Sequence, residues 1–247
     1  MKNFLALFLL AQTISFSQFE NIKSFQKKLI QEEKTGSNVA MVYKDGNMIY
    51  HHIENSNKPG DKNIDGETIF PVWSMSKPIT IVSVMTLIEQ GKIKLNDPVS
   101  KYIPSFESLT CKSPSGNYKC NNVMTVYHLM THRSGLKYYD EFENIRGLTS
   151  SVKYEDLKTF ADDVSNVTLE FEPGTKYLYG INQAVLGRIV EVASGMDFYQ
   201  YLKKTIFDPL EMNQTKFYLT KDEQTRFQPL FINSDNLKGF TYLLNEL

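Results

Sequence analysis

The stretch IFPVWSMSKPITIVSVMTLIEQGK, Ile69 to Lys92, decides how this chain is read. A strand-like apolar run ends at Trp73, and from Met75 the apolar residues Ile79, Val82, Met85, Leu87 and Ile88 recur at helical spacing. Gly91 is placed to cap the helix C-terminus. Ser74 is therefore expected at a buried helix N-terminus, with Lys77 three residues on and on the same face. Trp73, Met75 and the apolar helix face would desolvate the lysine, lower its pKa and free its amine as a base. The helix N-terminus would add positive potential where an oxyanion forms. Pro78 suits a first turn, where its missing N–H costs nothing. The alternative is that Ser74 is an N-cap and no more.

Spacing alone does not select this pair. Ser-x-x-Lys occurs four times, at Ser24 and Lys27, Ser74 and Lys77, Ser134 and Lys137, and Ser150 and Lys153. Only Ser74 has an apolar strand-like run before it and a long apolar helix after it; the other three lie in polar surroundings.

Working outward, Phe19 to Lys34 has helical spacing, and NVAMVYKDGNMIYHHIE alternates around Asp45-Gly46, a hairpin signal that predicts strands over Val39 to Tyr43 and Met48 to Ile53. Downstream, helices are expected at Thr125 to Met130, Tyr154 to Val164, Gln183 to Ala193 and Asp197 to Ile206. A hairpin followed by a helical region predicts an α+β protein with a mostly helical second lobe, and active sites often lie between such lobes.

With 247 residues, 41% hydrophobic and 22% charged, the chain reads as globular. Its net charge of −1 supplies no basic surface of the kind a phosphate backbone requires, which argues against nucleic acid as a partner. At the start, MKNFLALFLLAQTISFSQ sets Lys2 before an apolar run from Phe4 to Ala11, with Ser15 and Ser17 at −3 and −1 to a cut before Gln18. Residues 1–17 thus read as a signal peptide and the mature chain as exported, periplasmic or secreted, with no membrane span after cleavage. The alternative, an uncleaved anchor, meets a run shorter than the ~20 residues a spanning helix needs. Export would let Cys111 and Cys120, which enclose KSPSGNYK, form a disulfide worth roughly 2.5 to 3 kcal/mol on the chain-entropy estimate; the other reading is two free thiols.

Several motifs in order carry a resemblance: WSMSKPIT, LIEQGKIKLNDPVSKYIP, MTVYHLMTHRSGL, EPGTKYLYGINQAVLGRIVEVASG and IFDPLEMNQT. Together, from about Val39 to Thr215, they resemble the serine β-lactamase and penicillin-binding superfamily, and within it the class C β-lactamase-related branch that includes D-stereospecific peptidases and esterases. The resemblance implies an antiparallel sheet lobe beside a mostly helical lobe, no cofactor and no metal. It also implies a serine hydrolase that forms an acyl-enzyme with a small-molecule or peptide-like ester, amide or β-lactam. Ser74 matches the family's nucleophile, Lys77 its partner and Tyr179 the tyrosine that shares proton transfer with the lysine. The chemistry is consistent, since a phenol of ordinary pKa near ~10 works as a base only beside a cation such as Lys77.

Two departures from the family pattern shape the expectations. Relatives commonly read Tyr-x-Asn, whereas here Asn182 falls one place late, after Tyr179-Gly180-Ile181. That favours an esterase- or D-peptidase-like activity over a true β-lactamase. A third motif, Lys or His then a variable residue then Gly, is approached only by Lys238-Gly239 before Leu247. Residues 18–247 are therefore expected to form one β-lactamase-related domain whose sheet lobe is incomplete at its C-terminus, lacking the last strands and the third motif. Such a chain would be marginally stable and catalytically silent as given, with Val39, Met41, Val42 and Tyr43 near an open edge. A non-catalytic, vestigial binding protein of the same fold, or an inactive fragment, is the alternative.

His128 and His132, in HLMTH, have the spacing of a zinc site but lack the activating glutamate, so a structural helix and loop is the preferred reading. Gly-x-Ser-x-Gly and phosphate-binding glycine loops do not occur.

Overall fold

The structure, a computed structural model, describes residues 19–138, 156–234 and 237–241. The signal-peptide reading of residues 1–17, the pair Ser150 and Lys153, and the expected helix start at Tyr154 fall outside them. In chain order the first elements are α1 (Glu20–Gln31), β1 (Asn38–Lys44), β2 (Asn47–Glu54), a 3-10 turn (Trp73–Met75) and α2 (Ser76–Glu89). Next come β3 (Thr110–Cys111), β4 (Tyr118–Lys119), α3 (Val126–Met130), α4 (Leu157–Val164) and α5 (Asn182–Ser194). The last are α6 (Phe198–Leu202), which runs on into a π turn (Lys203–Phe207), then α7 (Lys221–Thr225), β5 (Leu230–Ser234) and β6 (Leu237–Thr241). The fold is α+β, and its described strands form three two-stranded antiparallel sheets.

One compact unit joins the residues up to Pro71 with those from Leu219 onward. Its hairpin turns where expected, because Asp45 and Gly46 both take positive φ, 52° and 77°, as a type I′ turn requires. The strands run in register from Asn38 opposite Glu54 to Lys44 opposite Asn47, with a bulge between Val42 and Tyr43. α1 packs on both strands, and its buried Gln26 donates to Asn38 Oδ1 at 2.8 Å and to the His52 carbonyl at 3.2 Å. Met41, Tyr43, Met48 and Ile49 remain exposed on the hairpin. The two chain segments are stitched by Asp61, whose carboxylate accepts from the Ser37 N–H and hydroxyl, the Ser56 hydroxyl and the Gln228 amide. Lys238 and Gly239 lie on β6, opposite Asn233 and Ile232 of β5.

The second unit, Val72–Tyr218, is built around α5. Val185, Leu186, Ile189 and Val190 of this helix are fully buried, and it packs against α2, α3, α4 and α6. Gly195, at φ 71°, ends it in the left-handed conformation that glycine adopts without steric cost. α2 ends as its sequence predicts: with Gly91 at φ 70°, the Gly91 and Lys92 N–H groups bond back to the Ile88 and Leu87 carbonyls at 2.9 and 3.0 Å.

The core face of α2 differs from the expected one. Thr80, Ser83, Val84 and Leu87 are buried, whereas Val82 and Met85 are 48% and 42% exposed. The helix is apolar on nearly every side, so periodicity cannot select a face. Small residues let the backbones approach, and their hydroxyls are satisfied within the helix, Thr80 on the Ser76 carbonyl and Ser83 on the Thr80 carbonyl. Cys111 and Cys120 form a disulfide across β3 and β4, which settles the alternative the sequence left open. None of the described helices is long and apolar enough to cross a membrane.

Candidate active site

Ser74 sits in the 3-10 turn that leads into α2, two residues before the regular helix begins. The turn is entered through Trp73 at φ 39°, in the left-handed region that a bulky residue occupies only under constraint. The Met75 N–H closes it on the Val72 carbonyl at 2.8 Å. This corrects the expectation of a buried helix N-terminus, since Ser74 is exposed and the strained turn lifts it clear of the helix packing.

Lys77, on the first turn of α2, donates from Nζ to Ser74 Oγ at 3.0 Å. Tyr179, on the segment before α5, brings its phenol OH to the same Oγ at 2.9 Å. The three residues assigned by resemblance therefore converge on one oxygen. Trp73 and Met75, expected to desolvate Lys77, are themselves 59% and 67% exposed. Two aromatic rings lie by the lysine: its ammonium is 4.9 Å from the centre of the Tyr179 ring and 5.8 Å from that of Tyr138. Hydrogen bonding to Lys77 and then to Ser74, with the lysine's charge as a lesser aid, holds the Tyr179 phenol below its ordinary range against the opposing effect of burial.

The segment that carries Tyr179 is pinned to the loop after α3. The Gly174 N–H bonds the Arg133 carbonyl at 2.7 Å, the Arg133 guanidinium returns to the Gly174 carbonyl, and the Leu178 N–H bonds the His132 carbonyl at 2.9 Å. Gly180 passes so close to this loop that a Cβ there would lie 2.2 Å from the Leu136 carbonyl oxygen. Gly180→Ala should therefore cost about 1–3 kcal/mol and pull Tyr179 off Ser74. Thermal unfolding checks the first effect, and the rate at which a covalent probe labels Ser74 checks the second.

The other Ser-x-x-Lys pairs have different surroundings. Ser24 and Lys27 are exposed on α1. Ser134 is fully buried and donates to Asn182 Oδ1, while Lys137 pairs with Glu170 at 3.5 Å. Asn182 is itself fully buried; its amide nitrogen meets His132 Nδ1 at 2.8 Å, and the side chain is spent on Ser134 and His132. No sequence spacing announced that network, although buried serine, histidine and asparagine in adjacent motifs were its one visible trace.

His128 and His132 do not form a metal centre. His128 Nδ1 accepts the Thr125 N–H in a capping box at the start of α3, and both ring nitrogens of His132 have partners in the core. Among the described residues one group of ligand-type side chains clusters, Cys111, Cys120 and Glu172, and its two sulfurs are joined to each other.

In this helical unit serine, lysine and tyrosine meet on one oxygen, as the resemblance to the β-lactamase-related enzymes implied. The chain belongs to the Beta-lactamase family, which residues 22–236 match. It is 25% identical over 207 residues to Esterase EstB of Burkholderia gladioli, covering 79% of this chain and 50% of that protein. It is 26% identical over 212 residues to a putative D-alanyl-D-alanine carboxypeptidase of Escherichia coli, with coverages of 81% and 47%. Among solved structures, EstCE1, a hydrolase with promiscuous acyltransferase activity, superposes with a TM-score of 0.78 at 21% identity, over 93% of this chain and 60% of that one. The chain spans about half the length of the curated relatives it matches.

Proposed function

We propose that this chain belongs to an exported serine hydrolase that works through an acyl-enzyme on ester or D-peptide-like substrates. The observation that carries the proposal is the double contact at Ser74 Oγ, 3.0 Å from Lys77 Nζ and 2.9 Å from the Tyr179 phenol. Ser74 attacks the carbonyl as its proton passes to the Tyr179–Lys77 pair. The Lys77 cation stabilises the phenolate that accepts this proton, and the same pair returns it to the leaving alkoxide or amine. Water, activated in the same way, then releases the acyl group. The exposure of Ser74 and Tyr179 leaves the reacting oxygens open to substrate.

Esters and D-amino-acid derivatives are preferred over β-lactams in this reading because Asn182 is committed to His132 and Ser134 and is turned away from Ser74. The names of the relatives, an esterase and a putative carboxypeptidase, support the same substrate range. Export is supported by the leader-like N-terminus and by the Cys111–Cys120 bridge, which persists in oxidising compartments.

Fluorophosphonate labelling followed by peptide mapping tests the assignment. Label should appear at Ser74 and vanish in Ser74→Ala; label at Ser24, Ser134 or Ser150 that survives this change would overturn it. With a chain that turns over, a nitrophenyl ester should outpace a cephalosporin reporter, and the reverse order would remove the substrate preference.

A further inference from the structure

His132 is 9% exposed, stands at φ 54° in the loop after α3, and touches three consecutive residues of the segment that carries Tyr179. Its carbonyl accepts the Leu178 N–H at 2.9 Å, its ring stacks on the Tyr179 ring at 4.7 Å with 26° between planes, and its Nδ1 accepts the Gly180 N–H at 3.2 Å. The Tyr138 ring also stacks on Tyr179, 5.9 Å away and 13° from coplanar, so the phenol is held against two rings.

The direction of every hydrogen bond behind this stack follows from backbone donors. The Leu136 N–H donates to Ser134 Oγ at 3.0 Å, so the Ser134 hydroxyl turns its own proton to Asn182 Oδ1. Asn182 must then present its NH2 to His132, where Nδ1 already accepts from the Gly180 N–H. Nδ1 is therefore unprotonated and Nε2 carries the hydrogen. Nε2 lies 3.3 Å from one end of the Gln183 amide, and the other end is buried without a partner. With the amide oxygen turned to His132, it accepts the Nε2–H, and the amide NH2 takes the unpartnered position.

We propose that His132, fixed as the Nε2–H imidazole, is the positioning residue of the site, clamping Tyr179 by ring and backbone so that its phenol meets Lys77 and Ser74. The proposal rests on the reading of Tyr179 as the proton-transfer group. A proton on Nδ1 would leave the Gly180 N–H and the Asn182 amide without an acceptor and would set a second cation near Lys77. Burial, and then the Lys77 charge, both lower the His132 pKa and keep that proton away. Besides Lys77, the groups that face the imidazole are Tyr179, the Tyr177 ring edge-on at 6.0 Å, and the uncharged side chains of Asn182 and Gln183.

Two measurements on the full chain test the clamp. In 15N spectra of histidine-labelled protein, His132 should show a bare Nδ1 and a protonated Nε2 at pH 7, and should take up its second proton only below the ordinary histidine pKa near ~6.5. An Nδ1–H tautomer, or a charged ring at pH 7, would overturn the proposal. The second measurement uses His132→Asn, because asparagine tolerates the left-handed backbone yet supplies no ring to stack. Ultraviolet difference titration against Tyr179→Phe should show the Tyr179 phenol moving up towards its ordinary range near ~10. The rate of Ser74 labelling should fall roughly 10- to 100-fold at an unchanged final extent, the loss expected of a misplaced group in an otherwise folded site. An unmoved phenol and an unchanged labelling rate would sink the clamp and leave Ser74 as the nucleophile. If Ser74 of the parent takes no label while the phenol still moves with His132, the clamp stands and the hydrolase reading fails.

Discussion

In Lys77→Ala, acylation of Ser74 should fall by roughly two to four orders of magnitude, the usual worth of a positioned acid–base group. Stability should change little. Lys77 is only half-buried, and its contacts with the rings of Tyr138 and Tyr179 are worth about 0.5–1 kcal/mol at sites of this exposure. The pH profile separates loss of the base from loss of the fold. With Lys77 present, the lowered Tyr179 pKa puts more phenolate in place at any pH below the ordinary phenol range, so the rising limb of the acylation rate lies below ~10. Without the lysine that limb should move up, and at neutral pH the rate drops. Lys77→Arg should fail as well, because a guanidinium stays protonated and cannot take part in proton exchange. Near-normal acylation in either variant would mean that another base serves Ser74.

The largest stability effect is expected at Asp97, in the segment between α2 and β3. Its carboxylate accepts the Lys94 N–H at 2.9 Å, the Lys101 ammonium at 2.7 Å and the Tyr102 hydroxyl at 2.6 Å, and its backbone carbonyl holds the Val126 N–H at 3.1 Å. Burial alone would raise the pKa, but the bonds from Lys101, Tyr102 and the Lys94 N–H outweigh it and bring the value down to about 2. A carboxylate that titrates lower in the folded than in the unfolded chain stabilises the fold fully above its unfolded value of 3.8. That contribution is lost as the pH falls through about 2. The gap corresponds to at most about 2.5 kcal/mol, reduced by the screening that a side chain 13% exposed still receives. Asp97→Ala should cost about 2–3 kcal/mol at pH 7, since it removes three bonds to the carboxylate and leaves the buried Tyr102 hydroxyl only the Lys92 carbonyl at 3.2 Å. Urea unfolding of parent and variant should converge towards pH 2; curves that stay parallel from pH 7 to pH 2 would show that the carboxylate charge contributes nothing.

Elements set by neighbours along the chain were legible from residues alone. Asp45-Gly46 placed the hairpin because two adjacent positive φ angles are cheap for that pair. Gly91 placed the end of α2 for a similar reason, and Thr125 and Asp197, where two of the expected helices begin, each cap a helix that starts one residue later. Ser74 and Lys77 could be paired because a spacing of three fixes their separation within one helical turn. Where the local rule was applied too literally, the reading missed. It assumed a regular helix start at Ser74, whereas the chain takes a 3-10 turn through a strained Trp73.

The sequence by itself determined the family, through motifs in register; the first hairpin and the longer helices, through turn chemistry and periodicity; and the serine–lysine pair, through one turn of helix, whereas β3 to β6 and α7 went unread. Only the tertiary structure decided which face of α2 is buried, since an almost uniformly apolar helix carries no directional signal and packing against α5 has to choose. It also decided the partners that lie far apart in the chain. Tyr179 meets Ser74 across 105 positions, and His132, Ser134 and Asn182 form one network across about fifty. Contacts of that range depend on how the loop after α3 and the segment before α5 dock on each other. Residue types record such docking only as unremarkable polar positions, until burial obliges each one to find a partner.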